Sequence, residues 1–258
     1  MPTFTYLSLE RRDQIFIITL RRGEENRLNI TLCNDVIRAF HYIQRALGPN
    51  APGAVITRGH NAKFWCTGVD QDERDSNPFA NSDGFFPMIH TILDFPYPTV
   101  ALLTGHTFGG ACPFALSHDY RVMNSERGFI SMVYNPSHLP ILRQADTSQP
   151  PVNLGMHFEG MGTLLKLKLG PSIARKMLLQ AHRWTGKEAF VDGVVDLIAR
   201  PEEMLDVAVT LANQWAPKAQ AGVYGVLRAE LYGEATRAFA LVSHVHSRET
   251  NRRALVKL

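Results

Sequence analysis

Apolar and polar positions follow two rhythms along this 258-residue chain. Residues 4–9 and 15–20 (IFIITL) are short apolar-rich runs separated by Arg11-Arg12-Asp13, which predicts two strands in a hairpin. Over 31–47 the rhythm lengthens: Leu32, Val36, Ile37, Phe40, Ile43 and Leu47 fall at helical spacing, and Gly48-Pro49 ends the run. A strand is expected at 54–57, a loop at 60–75, a helix at 85–93 stopped by Pro96 and Pro98, and a buried strand at 99–103. A small-residue helix follows at 111–117, then strands at 119–123 and 129–132. Residues 133–150 carry three prolines and no periodicity, and are expected to form a loop or insert. Helical spacing resumes at 161–169, 172–180 and 186–192, with a short strand over 194–199. From Pro201 the chain reads as helical throughout, including 218–232 and 234–248. Strands and helices alternating from about residue 30 point to an α/β core over 1–200, followed by a helical region over 201–258.

Composition narrows this picture. A hydrophobic content of 45% with 20% charged residues suits a soluble globular protein with a sizeable core. The net charge of +3 comes without a basic run or basic–aromatic interleaving, so a nucleic-acid partner is not expected. No apolar run approaches the ~18 residues of a membrane span, and the N-terminus lacks a signal-peptide pattern. Cys33, Cys66 and Cys112 form no CxxC and no His/Cys cluster, which argues against a metal site or disulfide framework. The final Val256-Lys257-Leu258 resembles a peroxisomal address ending in Lys-Leu, although its first residue is not the usual Ser or Ala; a cytoplasmic location is the alternative.

The candidate chemistry lies in two glycine turns. In the stretch TVALLTGHTFGGACPFALSHDYRVM (99–123), a strand leads through Gly109-Gly110 into a helix start, where backbone N–H groups can face an anion. About 40 residues earlier, Phe64-Trp65-Cys66-Thr67-Gly68-Val69-Asp70 places another glycine just beyond a strand. Two such turns, each able to aim one N–H, meet the requirement of a two-donor oxyanion hole; either alone is equally a tight turn. The TGxxxGG order could suggest a dinucleotide site, but about 100 residues precede it and no Tyr-x-x-x-Lys accompanies it. Neither GxSxG nor GxxxxGK[ST] occurs.

The linked pattern F-x-x-G-x-D, a proline-preceded strand, G-x-x-x-G-G, and a strand opening on Asp resembles the crotonase family of enoyl-CoA hydratases and isomerases. SHDYRVM (117–123) followed by Arg127-Gly128-Phe129 is most similar to its Δ3,Δ2-enoyl-CoA isomerase branch. The resemblance implies a ββα spiral with a C-terminal helical trimerisation region, and a homotrimer or dimer of trimers. It implies an acyl-CoA thioester substrate whose carbonyl oxygen is held by the N–H groups of Val69 and Gly110, beside Gly109. The CoA would lie along Phe64, Cys66 and Gly68, with Arg27 near its phosphates, and no cofactor would be needed beyond the CoA of the substrate.

Removing a proton from carbon 2 of a thioester builds an enolate, whose charge two N–H donors stabilise; the remaining requirement is a base. The two glutamates that hydration uses in the family fall here on Pro113 and on Val133 or Pro151, none of which moves a proton. Leu154-Gly155-Met156-His157-Phe158-Glu159-Gly160 resembles the L-G-x-x-x-E-G segment of peroxisomal isomerases, which implies Glu159 as the single catalytic base. As plain sequence, Glu159 is equally a helix-start carboxylate favoured by the dipole. His157 and His106 are candidate substitute bases, whereas Asp70 and Asp119 match structural aspartates of the family. The expected activity is a shift of a double bond from carbon 3 to carbon 2 of an enoyl-CoA. Thioester hydrolysis, hydration, or binding without turnover stand as alternatives.

Overall fold

The computed structural model describes residues 1–133 and 160–241. The hairpin β1 (Leu7–Arg12) and β2 (Ile15–Leu20) leads into α1 (Ile30–Leu47), whose start is capped by Asn29 accepting from Leu32 N–H. Three further strand pairs follow. They are β3 (Ala54–Gly59) with β4 (Phe64–Cys66), β5 (Thr99–Leu103) with β6 (His106–Phe108), and β7 (Tyr120–Asn124) with β8 (Ile130–Ser131). Between them run α2 (Gln71–Ser76), a π-helical turn (Asn81–Phe85), α3 (Phe86–Leu93) and α4 (Ala111–Leu116). After residue 160 come α5 (Met161–Lys168), α6 (Pro171–Leu179), α7 (Gly186–Val191), β9 (Leu197–Ala199), α8 (Met204–Trp215) and α9 (Val223–Leu241).

The strands sort by turn of chain. A six-stranded sheet runs β1-β2-β3-β5-β7-β9, and a three-stranded sheet runs β4-β6-β8. Each turn therefore gives one strand to the large sheet and the next to the small one, so successive turns stack as a spiral. Beyond the opening antiparallel hairpin every pairing within both sheets is parallel, which forces each return through a connection and buries both faces. One face packs α1, α3 and the aromatic residues Phe40, Trp65 and Phe114. The other packs Ile15, Ile17, Val100 and Val122 beneath Met204, Ala208, Leu211 and Ala212 of α8. The helical C-terminal region thus begins by closing the large sheet.

Two differences from the sequence-based expectation have physical reasons. Strands β4 and β6 are three residues each, too short to show a period; β4 falls within the expected loop and β6 in the unassigned passage between the expected strand and helix. Residues 223–241 form one helix through Gly233, where a break was expected between 232 and 234. Buried Arg228, Ala235 and Phe239 anchor that helix on both sides of the glycine, offsetting a penalty of about 1 kcal/mol for Gly in a helix. Of the 133–150 stretch only Val133 is described; it is buried, with its carbonyl facing Gly109.

Candidate active site

Strands β4 and β6 are parallel neighbours, with Phe64 opposite His106 and Cys66 opposite Thr107. The segments that leave their C-terminal ends, 67–70 and 109–110, therefore emerge side by side. Gly68 has φ +93°, and a Cβ there would lie 2.8 Å from both Gly110 N and Phe108 O. Conformation and space both demand glycine at that crossing. A Cβ on Gly110 would meet Val69 Cγ2 at 2.9 Å and Val69 N at 3.3 Å, so the two donor residues expected from the sequence lie against each other. Gly109, at φ +55°, makes the turn and donates its N–H to Ser131 O at 3.0 Å.

The aim of each donor follows from peptide planarity. A trans peptide holds its N–H opposite its carbonyl. Leu28 N–H donates to Gly68 O at 2.8 Å, which turns the Val69 N–H away from the 25–30 segment. Cys112 N–H donates to Gly109 O at 3.0 Å, which turns the Gly110 N–H back out of α4. The neighbouring amides are spent: Thr67 N–H on Glu25 O, Gly68 N–H on Cys66 Sγ, and Asp70 N–H on Leu28 O. Among the described residues, the Val69 and Gly110 N–H groups have no protein acceptor.

The remaining expected site residues divide clearly. Phe64 is half-buried, beside His106 at 5.5 Å between ring centres and beneath the Lys63 ammonium. Arg27 is largely buried and pairs with Glu25 at 2.6 Å. Cys66 is fully buried; its thiol donates to Asn26 O at 3.1 Å and accepts from Gly68 N–H, so the side chain holds the loop from behind and lines no surface. Burial pushes its pKa up to about 12, so it remains a thiol. Cys112 is likewise buried, with its pKa raised by burial.

Both aspartates prove structural. Asp70 caps α2 by accepting from Glu73 N–H at 3.2 Å and pairs with Arg22. Burial would raise its pKa, but the Glu73 N–H and Arg22 outweigh that and hold it below the usual value. Asp119 accepts from Thr99 N–H at 2.9 Å and pairs with buried Arg228 at 2.7 Å. His106 stands at the opposite end of β6 from the glycine pair, with Nδ1 accepting from Phe129 N–H at 3.3 Å. Burial lowers its pKa, and Arg183, Arg127 and Lys63 lower it further. Glu159 and His157 lie outside the described residues, as does Val256-Lys257-Leu258. Gly160, next after Glu159, has φ +78°, and a Cβ there would lie 3.2 Å from Phe239. Phe239 faces Phe86 at 6.1 Å, and Phe85 lies 3.6 Å from where a Gly110 Cβ would sit. The chain thus re-enters the described fold against an aromatic wall that reaches the glycine pair.

Sequence reasoning missed Asn26 and His118. Asn26 is fully buried at φ +49° and donates to Trp65 O of β4. The Asn-in-a-turn signal was present, but nothing in the sequence says which strand it meets. Fully buried His118 donates from Nδ1 to Phe114 O at 2.9 Å and accepts at Nε2 from Thr57 Oγ1 at 3.0 Å.

Two neighbouring amides at the C-terminal ends of parallel strands, without an acceptor among the described residues, are chemically able to receive an oxygen that carries or develops negative charge. The chain belongs to the enoyl-CoA hydratase/isomerase family, whose sequence model matches residues 10–133 and 141–253. It is 30% identical to enoyl-CoA delta isomerase 3 of Arabidopsis thaliana, over 92% of this chain and 96% of that protein. It is 28% identical to the peroxisomal enoyl-CoA delta isomerase 2 of the same plant, over 92% and 97%. Its fold superposes with a TM-score of 0.80 on a probable enoyl-CoA hydratase of Mycobacterium tuberculosis, at 21% identity, covering 98% of this chain and 99% of that one.

Proposed function

We propose that the protein shifts the double bond of a 3-enoyl-CoA to carbon 2, with the Val69 and Gly110 amides as oxyanion hole and Glu159 as its only base. The carrying observation is the pair of amides aimed out of adjacent loops by their pinned preceding carbonyls. In the proposed reaction a proton leaves carbon 2 for Glu159, and the electron pair of that bond moves into the C1–C2 bond while the thioester oxygen takes up negative charge. Return of the proton to carbon 4 restores the carbonyl and leaves the double bond between carbons 2 and 3. One base suffices, because the same proton is taken and given back. Hydration would call for a second carboxylate, and the position three residues after Gly110 is Pro113, buried within α4. Of the carboxylates following Val69, Asp70 and Glu73 are occupied by backbone N–H groups at Glu73 and Ile30, and Asp72 is exposed.

Isomerase names on the similar Arabidopsis proteins support this reading. The test is a product screen of purified protein with 3-enoyl-, 2-enoyl- and saturated acyl-CoA. Conjugated 2-enoyl product from the 3-enoyl substrate is the expected outcome. Free CoA, or a 3-hydroxyacyl product as the main species, would contradict it.

A further inference from the structure

Gly68 O is pinned by Leu28 N–H, so the aim of the Val69 donor is only as firm as the placement of the 22–28 segment against 65–70. A fully buried side chain, that of Asn26, is among those that join the two. Asn26 donates from Nδ2 to Trp65 O at 3.0 Å, and its Oδ1 accepts from Arg22 N–H at 2.9 Å. Its own carbonyl accepts the Cys66 thiol proton at 3.1 Å, and that sulfur in turn accepts from Gly68 N–H at 3.4 Å. Arg22 closes the bracket from outside, donating to Arg27 O at 2.9 Å and pairing with Asp70 on the far side of Val69. Asn26 is fully buried and left-handed, a conformation Asn tolerates better than most side chains.

We propose that Asn26 is a positioning residue for the oxyanion hole: it touches no substrate, and it sets the direction of the Val69 N–H through Trp65, Cys66 and the Leu28–Gly68 bond. This inference rests on the reading of Val69 and Gly110 as the thioester-oxygen donors. The geometry also specifies how it fails. Asn26→Asp keeps the shape but sets an oxygen against Trp65 O, where a donor now stands, and so pushes the two segments apart. Asn26→Gly keeps the left-handed backbone and removes the bridge.

The experiment measures the carbonyl stretch of a 13C-labelled saturated acyl-CoA bound to each protein, together with kcat and KM for the 3-enoyl-CoA. In the wild type, two donors should lower the carbonyl frequency of the bound ester relative to the free one. Asn26→Asp should lose most of that shift and drop kcat roughly tenfold or more, short of the 10²–10³ of outright donor loss, with KM changed little. Asn26→Gly should move both readouts the same way. A folded variant that keeps the full shift and wild-type kcat would overturn the proposal, and so would failure of both variants to fold, which would make the role purely structural. A wild-type carbonyl shift without 3-to-2 conversion would instead reject the isomerase reading, and the shift would still report on Asn26.

Discussion

A carbonyl held by a neighbour's N–H fixes the direction of the amide on the other side of the same peptide, and the Val69 and Gly110 amides are both held that way. The two glycine turns were legible in the sequence and the family resemblance pointed to Val69 and Gly110 within them; the structure sets those two residues against each other. The residues behind them were not legible: a buried Asn and a buried His look like any other Asn and His until their partners are known. His118 carries a testable consequence. Burial depresses its pKa to about 3, so the folded protein keeps it neutral, donating to Phe114 and accepting from Thr57. In the unfolded chain it titrates near ~6.5. Its contribution is therefore fully present above about pH 6.5 and declines as pH falls toward 3, by about 1.4 kcal/mol per pH unit. Asp119 acts in the same direction, but in a lower window, below its unfolded value of ~3.9. Denaturant titrations of wild type and His118→Asn between about pH 6 and 4.5 should show the variant with a flatter pH dependence. Equal slopes would show that His118 is not the group responsible.

At the scale of elements, long periodic segments were read correctly and three-residue strands were not. Helix α1 announced itself by six apolar positions, whereas β4 and β6, which carry the site, are defined only by their pairing with each other. Helix α9 presents a different lesson. Its sequence is apolar on more than one side, and the structure accounts for only part of that. Ala235 and Phe239 are buried, while Val223, Val226, Leu227 and Leu231 stand exposed at 53–63%. Their spacing puts them along one face of the helix. An exposed stripe of this kind marks an interaction surface, and we propose that it carries self-association into the trimer that the family resemblance implies. Leu227→Glu, at the middle of the stripe, should lower the molar mass measured by light scattering after size exclusion while leaving the circular dichroism spectrum intact. A wild-type preparation that is already monomeric at micromolar concentration would count against the assignment.

For the whole molecule, the architecture was legible in class and illegible in detail. Alternation of strands and helices gave an α/β fold, and the two linked glycine loops narrowed it to one family, to which the chain belongs. The sorting of the first and second strand of each turn into two sheets depends on long-range pairing that no local pattern encodes. That sorting brings a loop at residue 69 against one at residue 110, and so makes two isolated turns into one site. In the proposed reaction backbone amides hold the developing charge and a single carboxylate moves the proton. Turnover of a 3-enoyl-CoA by Glu159→Ala, measured beside its affinity for a saturated acyl-CoA, tests that division most directly. Turnover is expected to fall by about 10²–10⁴-fold, the usual contribution of general acid–base catalysis, with ester binding nearly unchanged; turnover at the wild-type rate would contradict that division.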